Sequence, residues 1–169
     1  MSAAPLVTIS VGVVVERSKG AGPWTDFLWR PVSVLTGVPD TPAWSKLSDD
    51  GARATFYAGA ADIELYRTAA AYYRDNLTAD PPLLWVALRA TQSEPQYRLQ
   101  AVSADPAEGE GWASVGDDIV ESIAMPESVQ AAVAAFVAEH HVEETFSKRK
   151  RDRADPEAMA RRLPGEGHE

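Results

Sequence analysis

Cysteine is absent from all 169 residues, which excludes disulfides, iron–sulfur ligation and thiol chemistry. Long apolar runs are missing too. No stretch approaches the roughly 20 apolar residues of a membrane span. The opening "MSAAPLVTISVGVVVER" lacks the basic n-region and small-residue cleavage site of a signal peptide. A cytoplasmic protein without membrane contact is therefore expected. The phosphate-cradling motifs G-x-G-x-x-G and G-x-x-x-x-G-K-[ST] do not occur, and "KGAG" at 19–22 reads as a hairpin turn. No G-x-S-x-G elbow frames a nucleophile. Asp49-Asp50 and Asp117-Asp118 sit beside glycine and read as turn residues.

Positive charge is scarce over most of the chain. Net charge is −9, which argues against general nucleic-acid binding. The imbalance is uneven: residues 1–146 hold 9 basic and 20 acidic side chains, and residues 147–169 hold 7 and 5. The base is concentrated in "KRKRDR", Lys148 to Arg153. No RNP-like aromatic motif, zinc finger or helix-turn-helix pattern accompanies it, so no nucleic-acid partner is expected.

What is present suits a globular domain. Apolar residues make up 45% and charged residues 24% of the chain, enough to bury a core. Five tryptophans are many for this length, and such a surplus marks binding surfaces as well as cores. The division expected is a single domain over 1–147 and a charged, disordered tail over 148–169.

Val7, Ile9, Val11, Val13 and Val15 alternate with Thr8, Ser10, Gly12 and Glu16, a half-buried strand. "DFLWRPVSVL" pairs with it as a hairpin, with Pro31 marking an edge or a bulge. "TGVPDTPAWSKLSDDG" reads as a loop. "ARATFYAG" and "ADIELYR" read as two short strands joined near Gly59. "TAAAYYRDNL" reads as a helix capped by Thr68. "PPLLWVALRA" and "QYRLQAVSA" read as a central strand and its neighbour, Asp105-Pro106 opens a short helical piece carrying Trp112, and "DIVESIAM" is a last strand. From Pro126, at N1, a helix runs to about Val142, with Val129, Val133, Phe136, Val137 and His140 on one face. Hairpins with few helices between them predict α+β: one mainly antiparallel sheet, helices on one side, then a C-terminal amphipathic helix and basic tail.

"AEHHVEETFSKRKRDR", Ala138 to Arg153, carries the most unusual chemistry. Helical spacing brings His140 to Glu144 and Glu139 to Glu143. Adjacent histidines, however, point about 100° apart, and the spacing is not H-E-x-x-H. No metal and no cofactor is expected from it, and His140 simply continues the apolar face. The segment reads instead as a helix end plus a basic arm that docks on an acidic protein surface, with Phe146 as an anchor. "PWTDFLWRP" adds a second candidate surface. Its Trp29 and Arg30 point to opposite faces of a strand, and Arg30 suits a partner carboxylate. The partner-binding residues expected are thus Trp24, Trp29, Arg30, Phe146, Lys148, Arg149, Lys150 and Arg151, with no catalytic residue.

"TISVGVVVERSKGAGPWTDFLWRPVSVL", "FYAGAADIELYRTAAAYYRDNL" and "AAFVAEHHVEETFSKRKRDR" together resemble an uncharacterised bacterial family, domain of unknown function family 3305, from about residue 7 to 153. Proteins of that family tend to be encoded beside molybdenum- or tungsten-dependent formate dehydrogenase subunits and their maturation factors. Some carry a label for molybdopterin-guanine dinucleotide synthesis, but "ISVGVVVERSKG" lacks the L-x-G-G loop such a guanylyltransferase opens with. The resemblance implies a non-catalytic accessory or assembly protein whose protein partner is a formate dehydrogenase subunit or maturation factor. The alternatives are a small enzyme or nucleotide-binding protein of molybdenum-cofactor metabolism, or a stable accessory subunit of the oxidoreductase.

Overall fold

The computed structural model describes residues 4–20, 27–113 and 116–140. Seven strands run antiparallel wherever they pair. They are β1 (Val7–Ser18), β2 (Leu28–Thr36), β3 (Ser45–Asp49), β4 (Arg53–Leu65), β5 (Leu83–Ala90), β6 (Tyr97–Ser103) and β7 (Ile119–Ala124). A 3-10 turn at Arg67–Ala69 leads into α1 (Ala70–Leu77), α2 (Pro106–Trp112) separates β6 from β7, and α3 spans 127–140.

The α+β, mainly antiparallel character is as the sequence suggests, but there are two sheets rather than one. The larger has the order β2-β1-β4-β3 and the smaller β6-β5-β7. Alternation explains how they join. Val11, Val13 and Val15 of β1, Ile63 and Leu65 of β4, and Leu84, Val86 and Leu88 of β5 are fully buried and belong to one core. Each such side chain contributes about 1.5–3 kcal/mol when removed from water, so this shared face dominates the fold. The two sheets also approach along both margins, β4 beside β6 and β2 beside β7.

The helices divide between two places. Buried Tyr73 of α1 and Val129, Val133 and Phe136 of α3 enter the core, Tyr73 and Phe136 meeting edge-on at 5.9 Å. In contrast, α2 lies on the outer face of the smaller sheet. Its Gly109 sits so close to Trp85 that a Cβ there would lie 2.2 Å from the indole.

Several boundaries differ from the sequence reading. The expected loop at 36–51 contains β3, an edge strand. The two short strands around Gly59 are one 13-residue strand, β4. Its register against β1 slips between Val13↔Gly59 and Val14↔Tyr57, leaving Ala58 as an extra residue. Gly59, at φ 126°, supplies the backbone shape that such a bulge needs. Thr68 is not a cap: it lies inside the 3-10 turn, and the cap position of α1 is Ala69, with no side-chain hydrogen bond. Pro126 precedes the first turn of α3, its carbonyl accepting from Gln130 N at 2.9 Å, so it caps the helix rather than occupying N1. Residues 141 and 142, the expected helix end, lie outside the described residues.

Candidate functional site

The strand register fixes two ends of the molecule. Val7, Leu65, Leu83, Ser103 and Ala124 lie at one, and Ser18, Leu28, Arg53, Ala90 and Tyr97 at the other. The first end is closed by α1 and α3. At the second, aromatic rings gather.

Three β-bulges aim those rings. In β2 the pairing jumps from Val14↔Ser33 to Val15↔Pro31, so Val32 is extra. In β4 the extra residue is Ala58. In β6 it is Gln100, between Ala87↔Ala101 and Leu88↔Leu99. Strand side chains alternate, so one inserted residue reverses the face of everything beyond it. Without the insertions Trp29, Phe56 and Tyr97 would face away from the core. With them, all three lie on the same face as Val15, Val34 and Val102. Bulges that re-aim side chains are a recurrent feature beside functional sites.

The rings meet. Trp29 lies 5.6 Å from Phe56, 6.2 Å from Tyr97 and 5.9 Å from Trp44, the last edge-to-face at 82°. Its indole N–H donates to Gln96 Oε1 at 3.1 Å. Trp44 reaches the cluster from a left-handed backbone, φ 69°. That conformation costs a bulky L-residue on the order of 1–3 kcal/mol and persists where its surroundings over-determine it. Phe27, 46% exposed, forms the rim, and Leu28, 56% exposed, precedes Trp29 and points to the opposite face at the same strand end.

Into this cluster runs Arg17, which continues the inward alternation of Val11, Val13 and Val15. Its guanidinium lies 4.4 Å from the centroid of Phe27, 5.2 Å from Phe56 and 5.8 Å from Trp29. Three neighbouring cations are paired: Arg30 with Glu16 at 3.6 Å, Lys46 with Asp49 at 2.8 Å and Arg89 with Asp118 at 3.8 Å. Arg17 has no carboxylate within 4 Å and no hydrogen-bond acceptor among the described residues.

A second feature lies in the crevice between β4 and β6. A groove of about 380 Å³ is lined by Asp62, Glu64, Gln100, Glu108 and Trp112, and a smaller hollow of about 140 Å³ shares Gln100 and Trp112 with it and is lined by Arg89 and Asp118. Tyr66 donates its hydroxyl to Glu64, and that hydrogen bond raises the Tyr66 pKa above its usual value, as do the Glu64 and Glu108 charges. Among the described residues no group of three or more histidine, aspartate or glutamate side chains is placed to hold a metal ion. The Asp49-Asp50 pair forms a turn: Asp49 accepts from Gly51 N, and Asp50 accepts from Ala52 N and Arg53 N. The Lys46 hydrogen bond holds the Asp49 pKa below its usual value, and the backbone donors do so for Asp50.

Of the residues singled out from sequence, Trp29 lies at the centre of the aromatic cluster. Arg30 points to the opposite, outer face and pairs with Glu16. Trp24, Phe146, Lys148, Arg149, Lys150 and Arg151 lie outside the described residues, as do Glu143 and Glu144, the expected neighbours of Glu139 and His140. His140 packs its ring against Phe136 at 4.4 Å. Arg17, Trp44, Phe56 and Tyr97 were not anticipated. Arg17 carried a readable signal, a charge at the next inward position of an alternating strand.

These features define a two-sheet, antiparallel α+β domain with an aromatic, cation-bearing end. The chain belongs to the family described as "Protein of unknown function (DUF3305)", whose model matches residues 10–150. No curated protein and no solved structure matches it. No helix among the described residues is long and apolar enough to cross a membrane.

Proposed function

We propose that this protein is a non-catalytic accessory protein that binds another protein through its aromatic end. The observation that carries the reading is the convergence of Trp29, Phe56 and Tyr97, each brought inward by a bulge in its own strand. Insertions in three strands displace the pairing of each, and the rings they turn inward extend the core to an end that is partly open. Aromatic and arginine side chains at a partly buried centre beside the exposed Phe27 have the composition of binding hot spots. The partner proposed is a formate dehydrogenase subunit or one of its maturation factors, a setting that rests on the family resemblance alone. The basic run Lys148–Arg151 would add electrostatic attraction, which acts mainly on association rate and is screened over about 8 Å at physiological salt.

The alternative, a nucleotide-binding protein of molybdenum-cofactor metabolism, finds its one supporting observation in the β4–β6 groove. The carboxylates of Asp62, Glu64 and Glu108 would repel a nucleotide's phosphates, so the groove favours that reading less.

The test is co-expression of the full chain with the cofactor-free catalytic subunit of a formate dehydrogenase, followed by affinity purification. Stoichiometric or transient co-purification is expected, reduced by a Phe27→Ser/Leu28→Ser double variant and, at low salt, by truncation after Ser147. Capture that neither change affects removes the proposed surface. Calorimetry showing micromolar GTP affinity would instead establish the nucleotide reading.

A further inference from the structure

Resting on that protein-binding reading, we infer that Arg17 is the receptor for a glutamate or aspartate side chain of the partner, presented between two apolar residues. Stacking occupies the faces of a guanidinium and leaves its edge donors in the plane, where they match a carboxylate's two oxygens. The rings therefore hold Arg17 in place without using its hydrogen bonds. The Arg17 side chain makes no ion pair within 4 Å and no hydrogen bond among the described residues, as is true of those of Arg53 and Arg98, and Asp49 feels its charge only at longer range; what sets Arg17 apart is the set of three rings around it. The chain as a whole is strongly acidic, net −9, a field that opposes an acidic visitor, so recognition at Arg17 rests on close contact rather than long-range attraction.

The geometry also selects the kind of carboxylate. In the order β2-β1-β4, Arg17 lies on the middle strand, with Phe27 and Trp29 to the β2 side and Phe56 to the β4 side. A group that meets the guanidinium has apolar surface on both sides. An internal acidic residue with apolar neighbours fits that arrangement, and a chain terminus, apolar on one side only, does not. Phe27, half exposed and lying over the guanidinium, shields one side of it from water, which strengthens the ion pair.

The experiment uses the full chain, labelled with nitrogen-15, and an acetylated, amidated peptide of alternating glutamate and phenylalanine. Titration is expected to move the Arg17 Nε–H and the Trp29 and Trp44 indole resonances. A glutamine-for-glutamate peptide should bind at least about tenfold more weakly, the order lost with one charge-assisted hydrogen bond. Arg17→Met, which keeps a chain over the rings without the charge, should lose the same factor for the glutamate peptide, while Arg30→Met stays within about twofold. Equal affinity for the two peptides, equal affinity of Arg17→Met, or shifts confined to Arg89 and Arg98 overturns the inference. So does equal binding by a glutamine peptide with a free C-terminal carboxylate, which would make the recognised group a chain terminus. If Arg17→Met fails to fold, the wild-type titrations still decide. Rim-dependent capture of the formate dehydrogenase subunit with no peptide discrimination retains protein binding and rejects carboxylate recognition. Peptide discrimination without capture does the reverse.

Discussion

The two ends of this sandwich are built from similar material to opposite effect. At the helical end, buried polar groups are satisfied: Asn76, 4% exposed, donates to Leu83 O at 2.7 Å and Ala104 O at 3.0 Å and accepts from Leu83 N at 2.9 Å. Fully buried Tyr73 accepts from Tyr66 N at 2.9 Å. At the aromatic end, rings are only partly buried, a tryptophan backbone is strained and a guanidinium lacks an acceptor among the described residues. Paired and buried groups serve stability. Under the proposed function, groups held rigid but left unpaired await a bound partner.

The contrast breaks most visibly at Asn76. One side chain ties α1 to the start of β5 and the end of β6. Asn76→Ala leaves three backbone groups without their partner, at about 1–3 kcal/mol each where no water replaces it. A loss of at least about 3 kcal/mol is expected in urea unfolding, with an unchanged m-value. A loss under about 1 kcal/mol would mean the helical end is not where stability is concentrated.

Gly109→Ala should follow. The new Cβ meets Trp85, and such overpacking costs about 1–3 kcal/mol. Better helix propensity offsets about 1 kcal/mol, leaving a net loss of up to about 2 kcal/mol. A stabilised variant would show that α2 rides loosely on the small sheet.

Next comes a pH effect at the helical end. Burial pushes the Tyr73 hydroxyl up to about 12 from an ordinary value of 10.0. The folded state therefore holds its proton more tightly than the unfolded state. This contribution is whole below about pH 10 and is lost as pH rises from 10 toward 12. Tyr73→Phe should be less stable than wild type at pH 8 and show a shallower decline across that window. Parallel pH profiles would reject the assignment.

The same contrast explains what could be read from the chain. The helical end was legible: Val129, Val133, Phe136 and Val137 announce α3, and the alternation of Val7–Val15 announces β1, because periodicity reports burial directly. The aromatic end was not. Trp29, Phe56 and Tyr97 sit one residue out of phase with Val34, Ile63 and Val102 in their own strands, and the bulges between them reverse the apparent face. That phase break is also why β4 reads as two strands around Gly59. Trp29 and Arg30 were placed on opposite faces correctly, yet it is Arg17, through its place beside Trp29 on the neighbouring strand, that joins the cluster. Pairing across strands is a long-range fact that one chain's local pattern does not carry.

The smallest effect on stability is expected at the rim, and it sharpens the comparison most. Phe27 and Leu28 are half exposed, so replacing both with serine removes little surface that folding had buried. The identifiable loss is the Phe27 contact with the Arg17 guanidinium, worth about 0.5–1 kcal/mol at an exposed site. Phe27→Ser/Leu28→Ser should thus melt within a few degrees of wild type, since about 1 kcal/mol corresponds to a few degrees for a domain of this size. Its capture of a protein partner should nevertheless fall sharply, because rim side chains keep water from the centre of an interface. Differential scanning calorimetry beside the co-purification assay separates the two quantities. A variant that melts far below wild type would make the aromatic end a second pillar of the fold, and the division between an end that stabilises and an end that recognises would be lost.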